Sequence, residues 1–304
     1  MIWNRDQEVV VELRQLRYFV AVAEELHFRR AAASLHVSQP PLSHQIRALE
    51  TEMGCTLLKR TRRRVELTPS GETFLRDARS LLAGLDGAVA TARRVAAGES
   101  GRLRVDFVGS ALLSVVPGIV HGFREARPGV EVELRERPTV DGLRDVLDGT
   151  VDVGLVRAPI DEVDALRCVS VLRERTVAAL PANHPLAALR RIPLRRLAVE
   201  PLVLFPRDQA PGFHDLLMQS LAATGAHPRV VQYAPETLTI IGLVAAGIGV
   251  TIGAESIARL ALDGVTYRPV SGGPDAELLA VARADDDSPL VAAFIAHSTG
   301  AGAA

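Results

Sequence analysis

Lysine is almost missing from this 304-residue chain: Lys59 is the single one among 35 basic residues. With abundant alanine, that bias toward arginine is what a GC-rich genome encodes, and it carries no functional message. Cysteine is scarce as well. Cys55 and Cys168 are too few for a disulfide framework or a thiolate zinc site, so a reducing, cytoplasmic compartment is expected. No run of about 18 uncharged apolar residues occurs, the length a membrane helix needs. The longest apolar stretch, Ile240–Ile252, is interrupted by glycine. The first residues, Met-Ile-Trp-Asn-Arg-Asp-Gln-Glu, lack the apolar centre of a signal peptide. Enzyme motifs are missing too: there is no G-x-S-x-G, no P-loop, and no His/Cys/carboxylate cluster at metal spacing. Neither a metal nor a cofactor is expected. What is present, 48% hydrophobic and 23% charged residues, suits a folded protein with sizeable cores. At about 150 residues per domain, two domains are expected.

The net charge of -1 conceals a strong local imbalance. Residues 26–64 carry eight basic and two acidic side chains, whereas residues 101–304 carry 20 basic and 24 acidic ones. A basic module on a near-neutral body fits a polyanion-binding protein.

Three helical signals precede and fill the basic stretch. Leu16, Phe19, Val20 and Ala23 share one helical face within 13–23. An alanine-rich helix covers Arg29–Leu35. A third helix starts after Ser38, a capping residue, with Pro40 and Pro41 in its first turn, where missing N–H groups cost little. Leu42, Ile46 and Leu49 form its buried stripe, which leaves Gln39, Ser43, His44 and Arg47 outward. Two short helices with the second exposing Gln, Ser, His and Arg have the layout of a helix-turn-helix, whose second helix enters the major groove. The same spacing also fits a plain three-helix bundle with a solvated polar face. Leu57–Thr68 then reads as two short strands around the basic turn Arg62-Arg63-Arg64, a wing able to lie along phosphates.

Thr68-Pro69-Ser70-Gly71-Glu72 opens a long helix. Phe74, Ala78, Leu81, Leu85, Ala88 and Ala92 alternate spacings of four and three, a heptad seam that points to dimerisation. Packing on its own chain is the alternative. The segment would run about 43 Å. Gly98-Glu99-Ser100-Gly101 is a hinge-like break.

Beyond the break, strand and helix signals alternate. Strands are expected at 103–108, 130–135, 151–156, 202–205, 230–233 and 250–252. Helices are expected at 111–126, 140–147, 213–223 and 238–246. That alternation argues for a mostly parallel sheet flanked by helices, with ligands at the carboxyl ends of strands. Ser110 and Thr139 follow the first two strands and open helices, so hydroxyls and helix amides could meet an anion there. Helix capping alone is the other reading of both. The histidines at 184, 214 and 297 read as scattered surface or satisfied side chains.

Leu16-Arg17-Tyr18-Phe19, Arg30-Ala31-Ala32, Ser38-Gln39-Pro40-Pro41-Leu42-Ser43, Leu49-Glu50, Gly54, Leu57-Leu58 and Leu67-Thr68-Pro69-Ser70-Gly71 together resemble the N-terminal signature of the LysR-type transcriptional regulators. The resemblance extends from about residue 12 over nearly the whole chain. It implies an α+β multidomain protein: a winged helix-turn-helix, a long linker helix, and a C-terminal α/β periplasmic-binding-protein-like effector domain of two lobes. The expected divisions are 1–11, an extension without pattern; 12–68, the DNA-binding domain; 69–100, linker helix and hinge; and 101–304, the effector domain. Lobe I would hold about 101–171 plus 269–304, and lobe II about 172–268. The extension is expected to be disordered, or else translation begins at Val11.

The resemblance also implies roles. Arg30, Ser38, Gln39, Pro40, Ser43, His44, Arg47, Arg62, Arg63 and Arg64 fall on DNA-binding positions. Many members carry arginine where this chain has His44, which alters the expected base preference. Gly109, Ser110, Thr139, Arg157, Pro206, Phe213 and Glu236 fall on the effector site, with Pro206 and Phe213 as an apolar wall. Arg157 would pair with a ligand carboxylate or, in the empty site, with Glu236. Phe107-Val108-Gly109-Ser110, Pro138-Thr139 and Asp152–Arg157 look especially like the subgroup that governs degradation of aromatic compounds and senses benzoate- or muconate-like acids. Pro159 stands where some relatives have a second basic residue, which disfavours doubly charged effectors. The implied partners are a double-stranded, inverted-repeat DNA operator, a small-molecule effector and further copies of the chain, as dimer or tetramer, with RNA polymerase as an additional candidate. The competing reading is a cytoplasmic small-molecule-binding protein whose N-terminal helices mediate protein interaction.

Overall fold

The computed structural model describes residues 11–61, 64–161 and 164–301. The chain divides into two compact units after Arg93. In the first, α1 (Leu13–Glu25), α2 (Phe28–Ser34) and α3 (Gln39–Glu52) are followed by β1 (Leu58–Arg60), β2 (Val65–Leu67) and α4 (Pro69–Ala96). A capping box between Glu12 and Gln15 starts α1, and Leu26 ends it in the left-handed region. Ser38 occupies the cap position of α3 with extended backbone, but its hydroxyl makes no cap hydrogen bond. The reason is local: Pro40 and Pro41 fill the positions whose N–H groups a cap would accept from.

One core holds the unit together. Phe19 and Val22 of α1, Ala31 of α2, Leu42, Ile46 and Leu49 of α3, and Leu57 are all fully buried. Each large side chain contributes roughly 1.5–3 kcal/mol by leaving water. The Glu50 carboxylate accepts from the amides of Leu57 and Leu58 at 3.0 Å each and pairs with Arg60 at 2.6 Å, which staples α3 to the wing. β1 and β2 pair antiparallel, Leu58 opposite Leu67. Thr68 Oγ1 accepts from the Gly71 amide at 2.9 Å and so starts α4. At Gly71 a Cβ would overlap the Leu57 carbonyl oxygen, so that turn can approach β1 only as glycine.

The second unit runs β3 (Ser100–Phe107), α5 (Gly109–Leu112), α6 (Val116–Ala126), β4 (Gly129–Glu136), α7 (Thr139–Leu147), β5 (Val153–Arg157), β6 (Leu166–Glu174), β7 (Thr176–Pro181), β8 (Ile192–Pro193), α8 (Leu194–Leu197) and β9 (Pro201–Leu204). It continues with α9 (Pro211–Ala222), β10 (Arg229–Tyr233), α10 (Thr237–Ala245), β11 (Thr251–Ala254), β12 (Val265–Ser271), β13 (Ala276–Arg283) and α11 (Pro289–Ala301). One sheet has the order β4-β3-β5-β13-β6, the other β11-β7-β12-β8, with β10 and β9 as a separate parallel pair. Each larger sheet has its own core, around Phe123 and Phe294 in one and around Leu217 and Leu202 in the other.

The expected mostly parallel sheet is corrected to a mixed one. β3 is parallel to β4 and β5, but β13 runs antiparallel to both β5 and β6. The chain leaves the first sheet between β6 and β7 and returns between β12 and β13. It therefore re-enters at the end where β5 finishes: Leu278 of β13 lies opposite Arg157. The single helix expected over 111–126 is split into α5 and α6, because Pro117 cannot continue a helix through 113–115 but can sit in a new first turn. The expected hinge at 98–101 holds Gly98 at φ 67° and Gly101 at φ 142°. A Cβ on Gly98 would press on the Leu290 amide at 2.9 Å, so glycine is required there. Among the described residues no helix is long and apolar enough to cross a membrane.

Candidate DNA-reading surface and effector cavity

In the first unit α3 buries Leu42, Ile46 and Leu49 and turns its other side outward. Gln39, Pro40, His44 and Arg47 are exposed and Ser43 is half-buried. Arg47 follows Ser43 by four residues and His44 by three, so it neighbours both on the helix surface, and these two lie one turn after Gln39 and Pro40. That face offers an amide, hydroxyls, an imidazole and a guanidinium, the groups that bond base edges and phosphates. Arg30, at the start of α2, is exposed and pairs with Glu25 at 3.0 Å. Arg64 is 79% exposed and pairs with Glu66 at 3.0 Å. Such exposed pairs are worth about 0–1 kcal/mol, so a phosphate can replace either carboxylate at little cost. Arg62 and Arg63 lie outside the described residues, as does Met1–Val10. Arg60 is not available in the same way: it is held by Glu50 and covers the Phe28 ring at 5.0 Å.

The heptad seam of α4 needs revision. Phe74 packs against Phe19 with ring centroids 5.2 Å apart, and Ala78 is completely buried in the same core. Ala78 is thus spent within the chain, and Phe74, half-buried, partly so. From the next turn onward the helix is open: Leu81 is 60% exposed, Leu85 half-buried, and Ala88 and Ala92 exposed.

In the second unit a cavity of about 400 Å³ opens where strand ends from both sheets converge. Gly109, Ser110, Thr139, Arg157, Phe213 and Glu236 all line it. Pro206 does not. Its neighbour Phe205 supplies that wall, stacked parallel on Phe213 with centroids 5.9 Å apart. Glu136, Arg137, Ile240, Ile241 and Ile257 were not foreseen as lining residues.

Arg157 is almost fully buried, and its partner is not Glu236. Its guanidinium pairs with Glu174 at 3.3 Å and donates to Ser110 Oγ at 3.0 Å and to the Ala276 carbonyl at 3.4 Å. Glu236 instead occupies the exposed N-cap position of α10. Burial pushes the Arg157 guanidinium down from its ordinary range, and the Glu174 carboxylate opposes that shift. A buried cation without such a partner would be far costlier. Glu174 is itself nearly buried and accepts from the Ser256 amide at 2.9 Å.

The two hydroxyls are already engaged, and in the same sense. Ser110 accepts from Arg157, and Thr139 Oγ1 accepts from the Arg157 amide at 3.2 Å. Each hydroxyl proton is left to donate toward the cavity. The anion-holding helix end expected at Ser110 is weak, since α5 has only four residues and few aligned peptide dipoles. His214 is buried with Nε2 unpartnered among the described residues, against the expectation of a surface or satisfied histidine. It sits edge-on to Phe205 at 5.8 Å.

Residues 13–72 match the bacterial regulatory helix-turn-helix protein model of the lysR family, and residues 96–302 match the LysR substrate binding domain. The chain belongs to the LysR family. It is 41% identical over 286 residues to the HTH-type transcriptional regulator AlsR of Bacillus subtilis (strain 168), covering 94% of each chain. It is 37% identical over 268 residues to the HTH-type transcriptional regulator BenM of Acinetobacter baylyi, covering 88% of this chain and 87% of that one. Among solved structures, full-length CbnR complexed with its target DNA is similar with a TM-score of 0.83 at 28% identity, covering 96% of this chain and all of that one. This LysR-type chain is a DNA-binding transcriptional regulator. Its first unit is the family's helix-turn-helix module, and its second the effector-binding module. Operator DNA, small-molecule effectors and other copies of the chain are the partners of such regulators.

Proposed function

We propose that the cavity beneath Ser110, Thr139 and Arg157 is the effector site of this regulator, and that its ligand is a small carboxylic acid with an aromatic or branched apolar body. The observation that carries the reading is convergence: two donor hydroxyls and a stacked Phe205–Phe213 wall face one cavity of about 400 Å³. A planar acid can lay its body on the rings and its carboxylate on the hydroxyls. The resemblance of Phe107-Val108-Gly109-Ser110 and Pro138-Thr139 to the aromatic-compound subgroup points to the same ligand class. Lobe I is taken as about 101–171 plus 269–304 and lobe II as about 172–268, a division supported by the separate sheets and cores. Closure of the lobes would change how the subunits of a dimer or tetramer are arranged on an inverted-repeat operator. The ligand need only prefer one arrangement, and a coupling of about 1–3 kcal/mol is typical. No catalysis is involved, and the setting is cytoplasmic. On the first unit, Gln39, Pro40, Ser43, His44 and Arg47 read the major groove, while Arg30 and Arg64 hold phosphates together with Arg62 and Arg63. The exposed stripe Leu81, Leu85, Ala88 and Ala92 is the dimer seam.

Fluorescence anisotropy with the intergenic DNA upstream of the protein's own coding sequence tests this, against a scrambled duplex, over a salt series and with a panel of aromatic and aliphatic acids. Preference for the upstream DNA, lost in Arg47→Ala, and a ligand-dependent shift lost in Thr139→Val are expected. A ligand response that survives Thr139→Val and a bulky Ile241→Trp filling the cavity would show that the effector binds elsewhere.

A further inference from the structure

The charges around the cavity are unequal in a way that bears on the ligand. Two cations line it, and each has a carboxylate behind it. Arg157 pairs with Glu174, and Arg137 lies 3.7 Å from the Asp145 oxygen that also holds Arg135 at 2.9 Å, neither carboxylate being part of the lining. Two carboxylates also line it, Glu136 and Glu236, and among the described residues neither has a cation within ion-pair distance. Glu136 is not directed away: a Cβ on Gly109 would overlap its carboxylate oxygen, so the glycine leaves that oxygen room beside Ser110. The cavity therefore combines two O–H donors, an apolar floor that includes Phe213, Ile240 and Ile257, and two uncompensated carboxylates at its rim.

A plain dicarboxylate fits this badly, since it would bring like charge to Glu136 and Glu236. A simple amine leaves the Ser110 and Thr139 protons without an acceptor, which costs binding when the site is desolvated. We propose that the effector is a zwitterion, an amino acid with a branched or aromatic side chain: its carboxylate accepts from Ser110 and Thr139, its ammonium faces Glu136 and Glu236, and its side chain packs on Phe213. This rests on the cavity being the effector site and specifies the charge of what it takes.

Isothermal titration calorimetry of the full-length protein separates the charges on fixed skeletons. L-phenylalanine is compared with 3-phenylpropanoate and 2-phenylethylamine, and L-leucine with 4-methylpentanoate. Saturable binding of an amino acid is expected, with its single-charge analogues about 10- to 100-fold weaker. Glu136→Gln and Glu236→Gln should weaken the amino acid by a similar factor while leaving the thermal midpoint unchanged, because both carboxylates are exposed. Equal or tighter binding of 3-phenylpropanoate or 4-methylpentanoate, or full affinity in the double glutamine variant, overturns the zwitterion while leaving the cavity as an ordinary acid site. Equal binding of 2-phenylethylamine overturns the role given to Ser110 and Thr139. Binding by none of the five overturns the zwitterion as well, and the effector cavity is then judged by the anisotropy series with Thr139→Val and Ile241→Trp.

Discussion

The pair formed by Arg157 and Glu174 can be tested by a double-mutant cycle. The side chains are 4% and 9% exposed and their charged atoms lie 3.3 Å apart. At an effective dielectric of about 20, two unit charges at that distance attract by roughly 5 kcal/mol. Desolvation offsets much of that in the intact pair, so the pair itself adds little net stability. Removing one partner is different, because the other charge stays buried without compensation, at about 3–5 kcal/mol. Glu174→Gln keeps an acceptor for the Ser256 amide and isolates the charge effect on Arg157. Arg157→Met keeps most of the volume and isolates Glu174. Each should cost about 3–5 kcal/mol, and the Arg157→Met/Glu174→Gln double, which buries no charge and keeps an acceptor for the Ser256 amide, should cost less than either single, about 1–3 kcal/mol for the neutral polar group left unpaired. The coupling energy is then at least about 3 kcal/mol. The two units need not unfold together, so the probe must report on the second one. A fluorophore on the exposed Cys168 of β6, in a Cys55→Ser background, does so during urea unfolding. Singles costing under about 1 kcal/mol, or an additive double, would refute the view that Arg157 is held by this carboxylate in a low-dielectric interior.

Three further predictions concern other parts of the molecule. Gly71→Ala should destabilise the first unit by about 1–3 kcal/mol, since the new methyl overlaps the Leu57 carbonyl, and unchanged hydrogen exchange in the first turn of α4 would contradict that packing. Ala78→Asp should unfold the first unit by burying an unpaired charge, whereas Leu81→Asp should leave its melting intact and weaken self-association in analytical ultracentrifugation; an unchanged association constant for Leu81→Asp removes this stripe from the dimer seam. Hydrogen bonds from Ser170 and Arg173 hold the Glu277 carboxyl below the usual carboxylate range. The stability this provides is complete above that range and is lost as the pH falls through the depressed value. The gap in thermal midpoint between wild type and Glu277→Gln should therefore close as the pH falls below about 4, and a constant gap from pH 7 downward would refute it.

The legible parts of this chain were those where one local pattern sufficed. In α1 and α3 the apolar residues recur at helical spacing, and the same residues are the buried ones: Leu16, Phe19 and Ala23, then Leu42, Ile46 and Leu49. Of the heptad seam, spacing alone could not say which turns meet a partner and which meet α1, because Phe74 and Leu81 look alike until the winged-helix core is assembled. β6, β7, β12, β13 and α11 escaped notice for a different reason. β6 and β7 are separated by Arg175 alone, with no Gly, Pro or Asn to mark the crossing between sheets. Every residue of β7 from Thr176 to Leu180 is buried, so it shows no alternation. In α11 the run Leu-Val-Ala-Ala-Phe-Ile-Ala is apolar on all sides. The partner of Arg157 was hidden by the same omission. Glu174 reaches it only because β13 lies between β5 and β6, with Leu278 opposite Arg157 and Ala276 opposite Glu174.

That hidden strand order also bears on how occupancy of the cavity reaches the rest of the effector unit. Ser110 lines the cavity and holds Arg157, Arg157 holds Glu174, and Glu174 is the last residue of β6, one residue before the chain passes to the other sheet. Its second oxygen accepts from Ser256, beyond β11 of that other sheet. A ligand that accepts the Ser110 proton polarises and repositions the hydroxyl that Arg157 donates to, and so acts on a chain that ends at the crossing point. The network is buried and its charges are compensated in one geometry, so it resists gradual deformation and favours discrete arrangements. The free energy required is modest, since a differential affinity of 5- to 150-fold corresponds to about 1–3 kcal/mol, the worth of one or two charge-assisted hydrogen bonds. If the cavity is the effector site as proposed, one hydroxyl contact made in only one arrangement would supply that bias, and the apolar floor need only hold the ligand in place.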